Sequence, residues 1–246
     1  MSPRLRRIAA TLLLVGGISL GVSLASAMPA TTRQGVDFTV STHTIPLSVK
    51  TLDFLHRDAN YRLLAREIAR GRASDRDRAM AVFDWTRAHI PHTPEGWPVG
   101  DDHILHIIIR GHGLDDQQAD VFTTLATYAG VPAFWRIIRT PGTATNLVLS
   151  FARIDGRWAV FDVAHGFVFT HPSGRLAGAE ELAADPALVS AASGDFPFGD
   201  GPYARYFAPL DTLEVPRPLR ARMQMPWPRL VHEATQRLTR RRHGGA

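Results

Sequence analysis

The chain has 246 residues, 45% hydrophobic and 21% charged. That is enough apolar material for one folded domain of about 150–200 residues with appendages. It contains no cysteine, which excludes disulfides, thiolate metal sites, iron–sulfur clusters and any thiol nucleophile. The formal net charge is +5, but arginines at the two ends supply that excess. The body between them is close to neutral, without the basic face and interleaved aromatics that nucleic acid would need.

Arg4, Arg6 and Arg7 precede an apolar run from Ile8 to Leu24, and Ala25-Ser26-Ala27 follows as a small-x-small site. Residues 1–27 therefore read as a secretory signal peptide, with an uncleaved inner-membrane anchor as the alternative. Either way the remainder is expected outside the cytoplasm, periplasmic or secreted. Residues 28–50 read as an extended polar lead-in with an edge strand carrying Val36, Phe38 and Val40. From Asp53 to near Gly71 the spacing predicts a helix, its apolar face built from Leu52, Leu55, Leu63, Leu64 and Ile68. Ser74-Asp75 caps a second helix that buries Ala79, Val82, Phe83 and Trp85-Thr86. Pro91 and residues 92–100 form a loop. Leu105-His106-Ile107-Ile108-Ile109 then reads as a short histidine-containing strand.

Gly111-His112-Gly113 leads into a helix from Asp115 to Ala129, with Val121, Phe122, Leu125 and Ala129 on one face and Gly130 as the stop. Strands follow over 132–139 and 146–154, with a turn at Asp155-Gly156 into a third over 158–162. Phe167-Val168-Phe169 suggests a fourth. From Pro172 the pattern gives short helices and loops, closing with an amphipathic helix over Pro228 to Arg240. The fold class is α+β: helices first, then an antiparallel sheet packed on the central helix. Residues 51–170 form the core and 171–246 a C-terminal extension with a basic tail, in which Arg240-Arg241-Arg242 reads as a solvated end.

The glycine-rich approach, Ala119, Leu125-Ala126, Gly130-Val131-Pro132-Ala133, Asp155-Gly156-Arg157-Trp158 and Asp162 occur in an order that resembles the transglutaminase-like superfamily, which shares the papain-type core. The resemblance spans roughly residues 60–170 and implies a Cys at the helix start, a His opening the next long strand and an Asp after the hairpin. In that triad a thiolate attacks an amide carbonyl, the imidazole moves the proton and the carboxylate orients the imidazole. Counted onto this chain, the Cys position falls on Asp115 and the His position on Asn146, within one residue. Only Asp162 keeps the family residue. A carboxylate is a poor acyl-transfer nucleophile, and an asparagine does not shuttle protons near neutral pH.

The residues leave several readings of the cleft. Asp115 is either the helix N-cap or a repurposed carboxylate that holds a cationic group or acts as a base. His112 and His165 could each supply the imidazole missing at Asn146. Asn146 is expected to stay hydrogen-bonded to Asp162, while His112, Asp116, Gln117 and His165 are candidate ligand contacts. Asp101, Asp102, His103, His106, His112 and Asp115 make a His/Asp-rich approach, but their spacing fits no metal motif. Trp135, Trp158 and Phe161 read as sheet core. No metal or cofactor is expected. The leading reading is an exported bacterial protein of transglutaminase-like type without catalysis, binding a peptide, glycan or partner protein in the cell envelope; an arginine-rich composition with Lys50 as the single lysine suits a GC-rich bacterial genome. The alternatives are an active hydrolase or acyltransferase using Asp115 with a histidine, and a structural accessory subunit acting through its C-terminal region.

Overall fold

The structure, a computed structural model, describes residues 3–101 and 103–243; Asp102 of the His/Asp-rich approach lies outside them. The apolar N-terminal run is helix α1 (Pro3–Ala27). Among the described residues no helix is long and apolar enough to cross a membrane.

The lead-in forms a full hairpin rather than a single edge strand. β1 (Pro29–Val36) and β2 (Thr39–Pro46) pair antiparallel from Pro29↔Pro46 to Val36↔Thr39. Asp37 and Phe38 both take left-handed φ values, 48° and 62°, as a two-residue type I′ connection demands. Phe38 thus sits at the turn, 82% exposed, not in a strand. The Asp37 carboxylate accepts the Val99 N–H at 2.8 Å, and β1 also pairs with the short β3 (Gly100–Asp101).

Helix α2 (Leu47–Ile68) presents a different face from the one its leucines suggest. Leu52, Leu55 and Leu63 are exposed, and the buried residues are Arg57, Asp58, Tyr61 and Ala65. Arg57, Tyr61 and Ala65 recur every fourth residue and share one stripe. Their polar atoms are satisfied inside: Asp58 accepts from Arg62 and from the Tyr128 hydroxyl, each at 2.8 Å, and the Tyr61 hydroxyl accepts the Leu105 N–H at 2.9 Å. Satisfied polar groups can be buried at little cost, so polarity alone did not mark the outer face.

Helix α3 (Asp75–His89) starts where Ser74 accepts the Asp77 N–H at 3.0 Å and buries Ala79, Val82, Phe83 and Thr86. The following apolar segment is a helix, α4 (Ile104–Arg110), not a strand. Ile104, Leu105 and Ile107 turn inward, and Gly111 at φ 76° closes the helix with its N–H on the Ile107 carbonyl. Among the described residues no neighbouring strand offers β-branched Ile107–Ile109 a ladder, so helical packing against α2 and the next helix prevails over propensity.

That helix, α5 (Asp115–Tyr128), lies against an antiparallel sheet in the order β4 (Ala133–Ile138), β5 (Leu147–Ile154), β6 (Arg157–Asp162), β7 (Phe167–Val168). Ser150 stands opposite Trp135 on one side and Phe161 on the other. Asp155 and Gly156 turn β5 into β6 with φ values of 51° and 77°. On the helical face Phe122 packs against Phe83 and Phe161. The other face, with Leu147, Leu149, Phe151 and Val160, is covered by the C-terminal chain. There α6 (Ala179–Ala184), α7 (Pro186–Ser193) and a 3₁₀ segment (Tyr203–Thr212) bring in Leu182, Val189, Tyr206 and Phe207. The last helix, α8, runs Pro226–His243. The sheet is therefore a shared middle layer between two apolar cores.

After β6 the chain turns sharply at Asp162–Gly166, the Gly166 N–H bonding the Asp162 carbonyl at 2.9 Å. Arg87 of α3 donates to the Val163 and Ala164 carbonyls at 3.2 and 2.7 Å. Gly166 has φ +84°, and a Cβ there would meet the Arg87 guanidinium at 2.6 Å. Gly166→Ala is expected to lose at least about 1–2 kcal/mol through left-handed strain alone, read as a lower urea midpoint.

Candidate functional site

Two chain segments meet at the position where the family resemblance places its chemistry. The first is the start of α5. Leu114, not Asp115, is the N-cap residue, and Asp115 is the first residue of the helix. The Asp116 carboxylate accepts the Gln117 N–H at 3.0 Å, while the Gln117 side chain reaches back to the Leu114 N–H at 3.1 Å. Buried Gln117 also donates to the Gly100 carbonyl, so it ties the β3 loop to the helix start. The Asp115 side chain is left 37% exposed, its Oδ1 3.3 Å from His92 Nδ1. Its charge sits at the positive end of the α5 dipole.

The second segment is the end of β6. Asp162 is fully buried. Its Oδ2 lies 2.8 Å from His165 Nδ1 and accepts the Tyr203 hydroxyl, and its Oδ1 accepts the His165 N–H at 2.9 Å. Asn146, by contrast, is exposed just ahead of β5, so the expected Asn146–Asp162 hydrogen bond is replaced by these partners. The start of β5 is committed to the apolar core through Leu147 and Leu149. The imidazole that orients on Asp162 comes instead from three residues further along the chain.

The His165 ring lies between Phe196 and Phe198, with centroids at 5.1 and 5.2 Å. Burial works against its charge, but the hydrogen bond and charge of Asp162, with a contribution from Asp115, outweigh it and Arg87. The net effect holds the His165 pKa above its ordinary value. Tyr203 is held protonated by burial and by the adjacent Asp162. Protonated His165 therefore favours the folded state. That contribution is complete below the unfolded value of about 6.5 and is lost as pH rises through the higher folded value. Melting temperature is expected to fall over that interval in the wild type, and His165→Gln is expected to remove that part of the slope in melts recorded from pH 6 upward.

His112 takes another direction. It is buried, with Nδ1 3.1 Å from Thr93 Oγ1 and its ring edge-on to Trp97. Burial, then Arg110, lower its pKa, so it serves as a neutral internal hydrogen-bonding group near the helix start. The rest of the His/Asp-rich approach is dispersed. His103 Nε2 is 4.0 Å from Asp53 on α2, and no group of three metal-ligating side chains forms among the described residues. Phe161 is fully buried, whereas Trp135 and Trp158 are half-buried; Trp135 donates to Asp120 at 2.6 Å. Sequence reasoning missed His92, Arg87 and Tyr203. Tyr203 lies 41 residues from Asp162, in a stretch without helical or strand periodicity, so no local signal marked it.

Residues 62–163 match the family model of the transglutaminase-like superfamily. A comparison with curated proteins finds no match. Among solved structures, a proposed cysteine protease from Cytophaga hutchinsonii aligns at 16% identity and TM-score 0.38, covering 43% of this chain and 37% of the other. A proposed protease from Parabacteroides distasonis aligns at 12% identity and TM-score 0.36, covering 56% and 36%. A third structure, described as a TGase, aligns at 12% identity and TM-score 0.33, covering 59% and 46%. The chain spans less than half the length of each of these structures.

Proposed function

We propose, from the premise that this chain carries a transglutaminase-like core over residues 62–163, that it is an exported envelope protein that binds a peptide segment without transferring its acyl groups. The observation that carries this reading is the pairing at the old triad. A partly exposed carboxylate, Asp115, stands at the nucleophile position, and the buried Asp162 carboxylate is taken up by His165 and Tyr203. Asp115 at a helix start suits a cationic side chain or amine of a bound segment through a charge-assisted hydrogen bond. Aromatic side chains of the C-terminal chain pack around His165. This favours contact with a segment laid across the surface over a deep substrate cavity. A glycan or a partner protein would be held at the same surface through its own basic groups.

The test is fluorescence anisotropy with labelled lysine-containing and lysine-free peptides. The wild type is expected to prefer the lysine-containing peptide, and Asp115→Asn to lose about tenfold in affinity, the worth of one charged hydrogen bond. Equal binding of both peptides, or binding unchanged by Asp115→Asn, would remove Asp115 from the role.

One observation favours a second reading, a hydrolase using Asp115 with a histidine. Asp115 lies 3.3 Å from His92, and its charge also reaches His165. A carboxylate beside an imidazole can act as a base toward water. That reading requires turnover of an amide or ester that Asp115→Ala abolishes.

A further inference from the structure

At the hairpin end of the sheet, some five strand residues from Asp162, a groove of about 710 Å³ opens between β5–β6 and the C-terminal chain. Five residues of strand span about 17 Å, so this groove is separate from the candidate site. Its size falls in the range of small-ligand sites. Three arginines line it, Arg153 from β5, and Arg217 and Arg222 from the segment that leads into α8; His232 of α8 lines the same space. Among the described residues no carboxylate lines it.

Elsewhere in the chain some arginines are neutralised by carboxylates, while others, such as Arg87 and Arg205, bond backbone carbonyls. Arg62 pairs with Asp58, Arg175 with Glu181, Arg220 with Asp120 and Arg229 with Glu233. Among the described residues, Arg153, Arg217 and Arg222 have no carboxylate partner. Three cations from two stretches of chain line one groove without a carboxylate beside them, although like charges brought together repel. The walls between them are apolar, formed by Trp158, Val215, Leu219, Met223 and Val231.

We infer that this groove is a binding site for a phosphate-bearing amphiphile, a single molecule with an anionic head and an apolar body. Guanidinium is the group best matched to phosphate, because its planar donors bond two oxygens at once. Three guanidiniums can share a phosphate's three terminal oxygens, whereas a carboxylate offers only two. Trp158 and the aliphatic walls take the apolar body out of water.

Isothermal titration with octyl phosphate, below its micelle concentration, tests the assignment on the full chain. Octyl phosphate is expected to bind, with inorganic phosphate and neutral octyl glucoside each at least about tenfold weaker, since each lacks one half of the recognition. Raised salt should weaken the binding. The triple variant Arg153→Gln, Arg217→Gln, Arg222→Gln, with its melting temperature checked against wild type, should lose about tenfold or more. Should that variant be misfolded, Arg217→Gln alone, on an exposed loop position, gives the same readout with a smaller loss. Octyl glucoside binding as tightly as octyl phosphate would overturn the proposal, as would undiminished binding by the folded variants. Binding only to phosphatidylglycerol vesicles, with none to the monomeric amphiphile, would also overturn it, by pointing to a membrane surface instead.

Discussion

Asp162→Ala is expected to destabilise the protein by about 3–5 kcal/mol, the usual cost of removing one partner from a buried ion pair. The carboxylate is fully buried and takes three hydrogen bonds, from the His165 ring, the His165 N–H and the Tyr203 hydroxyl. Truncation leaves those donors facing a void. Tyr203 is 3% exposed, so its hydroxyl has no water to turn to, while the His165 side chain, at 22%, recovers part of its solvation. Asp162→Asn keeps one acceptor and loses the charge, so a smaller loss is expected. Tyr203→Phe, which removes one donor and leaves the other two, should cost about 1–3 kcal/mol. Urea denaturation with an unchanged slope measures all three. A loss under about 1 kcal/mol for Asp162→Ala would place it outside the range of such networks and contradict the assigned geometry.

Phe122→Ala is the second large effect, expected at about 3–5 kcal/mol. Phe122 is fully buried, 6.2 Å from Phe83 on α3 and 5.1 Å from Phe161 on β6 by ring centroids. Its ring joins three elements at the centre of the helical core, and α5 is already packed on both the sheet and α3, which limits collapse into the space left. Phe122→Leu refills part of that space and should lose much less. Because α5 also carries Asp115, Phe122→Ala should loosen the site as well as the core, visible as reduced near-ultraviolet circular dichroism. A denaturation midpoint unchanged by Phe122→Ala would contradict the packing.

The parts of the fold legible in the sequence are those with strong local chemistry. Ser74 marks the start of α3, Gly130 follows α5, and Asp155-Gly156 makes the turn its residue types demand. The face of α2 is not legible, because Arg57 is buried against Asp53 one turn away, Asp58 and Tyr61 are buried through partners on other elements, and three leucines stay outside. Helix α4 was read as a strand because seven residues are too few for periodicity to separate the two. At the site, Asp115 and Asp162 could be placed by counting between motifs. The imidazole could not, because counting along β5 leads to Asn146, whereas Asp162 draws on His165 across a tight turn and on Tyr203 from a distant 3₁₀ segment. A position count reaches only residues at fixed spacing along the chain, and the partners of Asp162 are set by tertiary packing.

In the proposed function Asp115 is a binding carboxylate rather than a reacting one. The most direct measurement is the release of ammonia and of product from glutamine-containing and other amide peptides, with and without an added amine, by the wild type and by Asp115→Ala from pH 5 to 9. Neither protein is expected to exceed the buffer rate at any pH. Turnover by the wild type that disappears in Asp115→Ala, with the fold intact, would contradict that binding role.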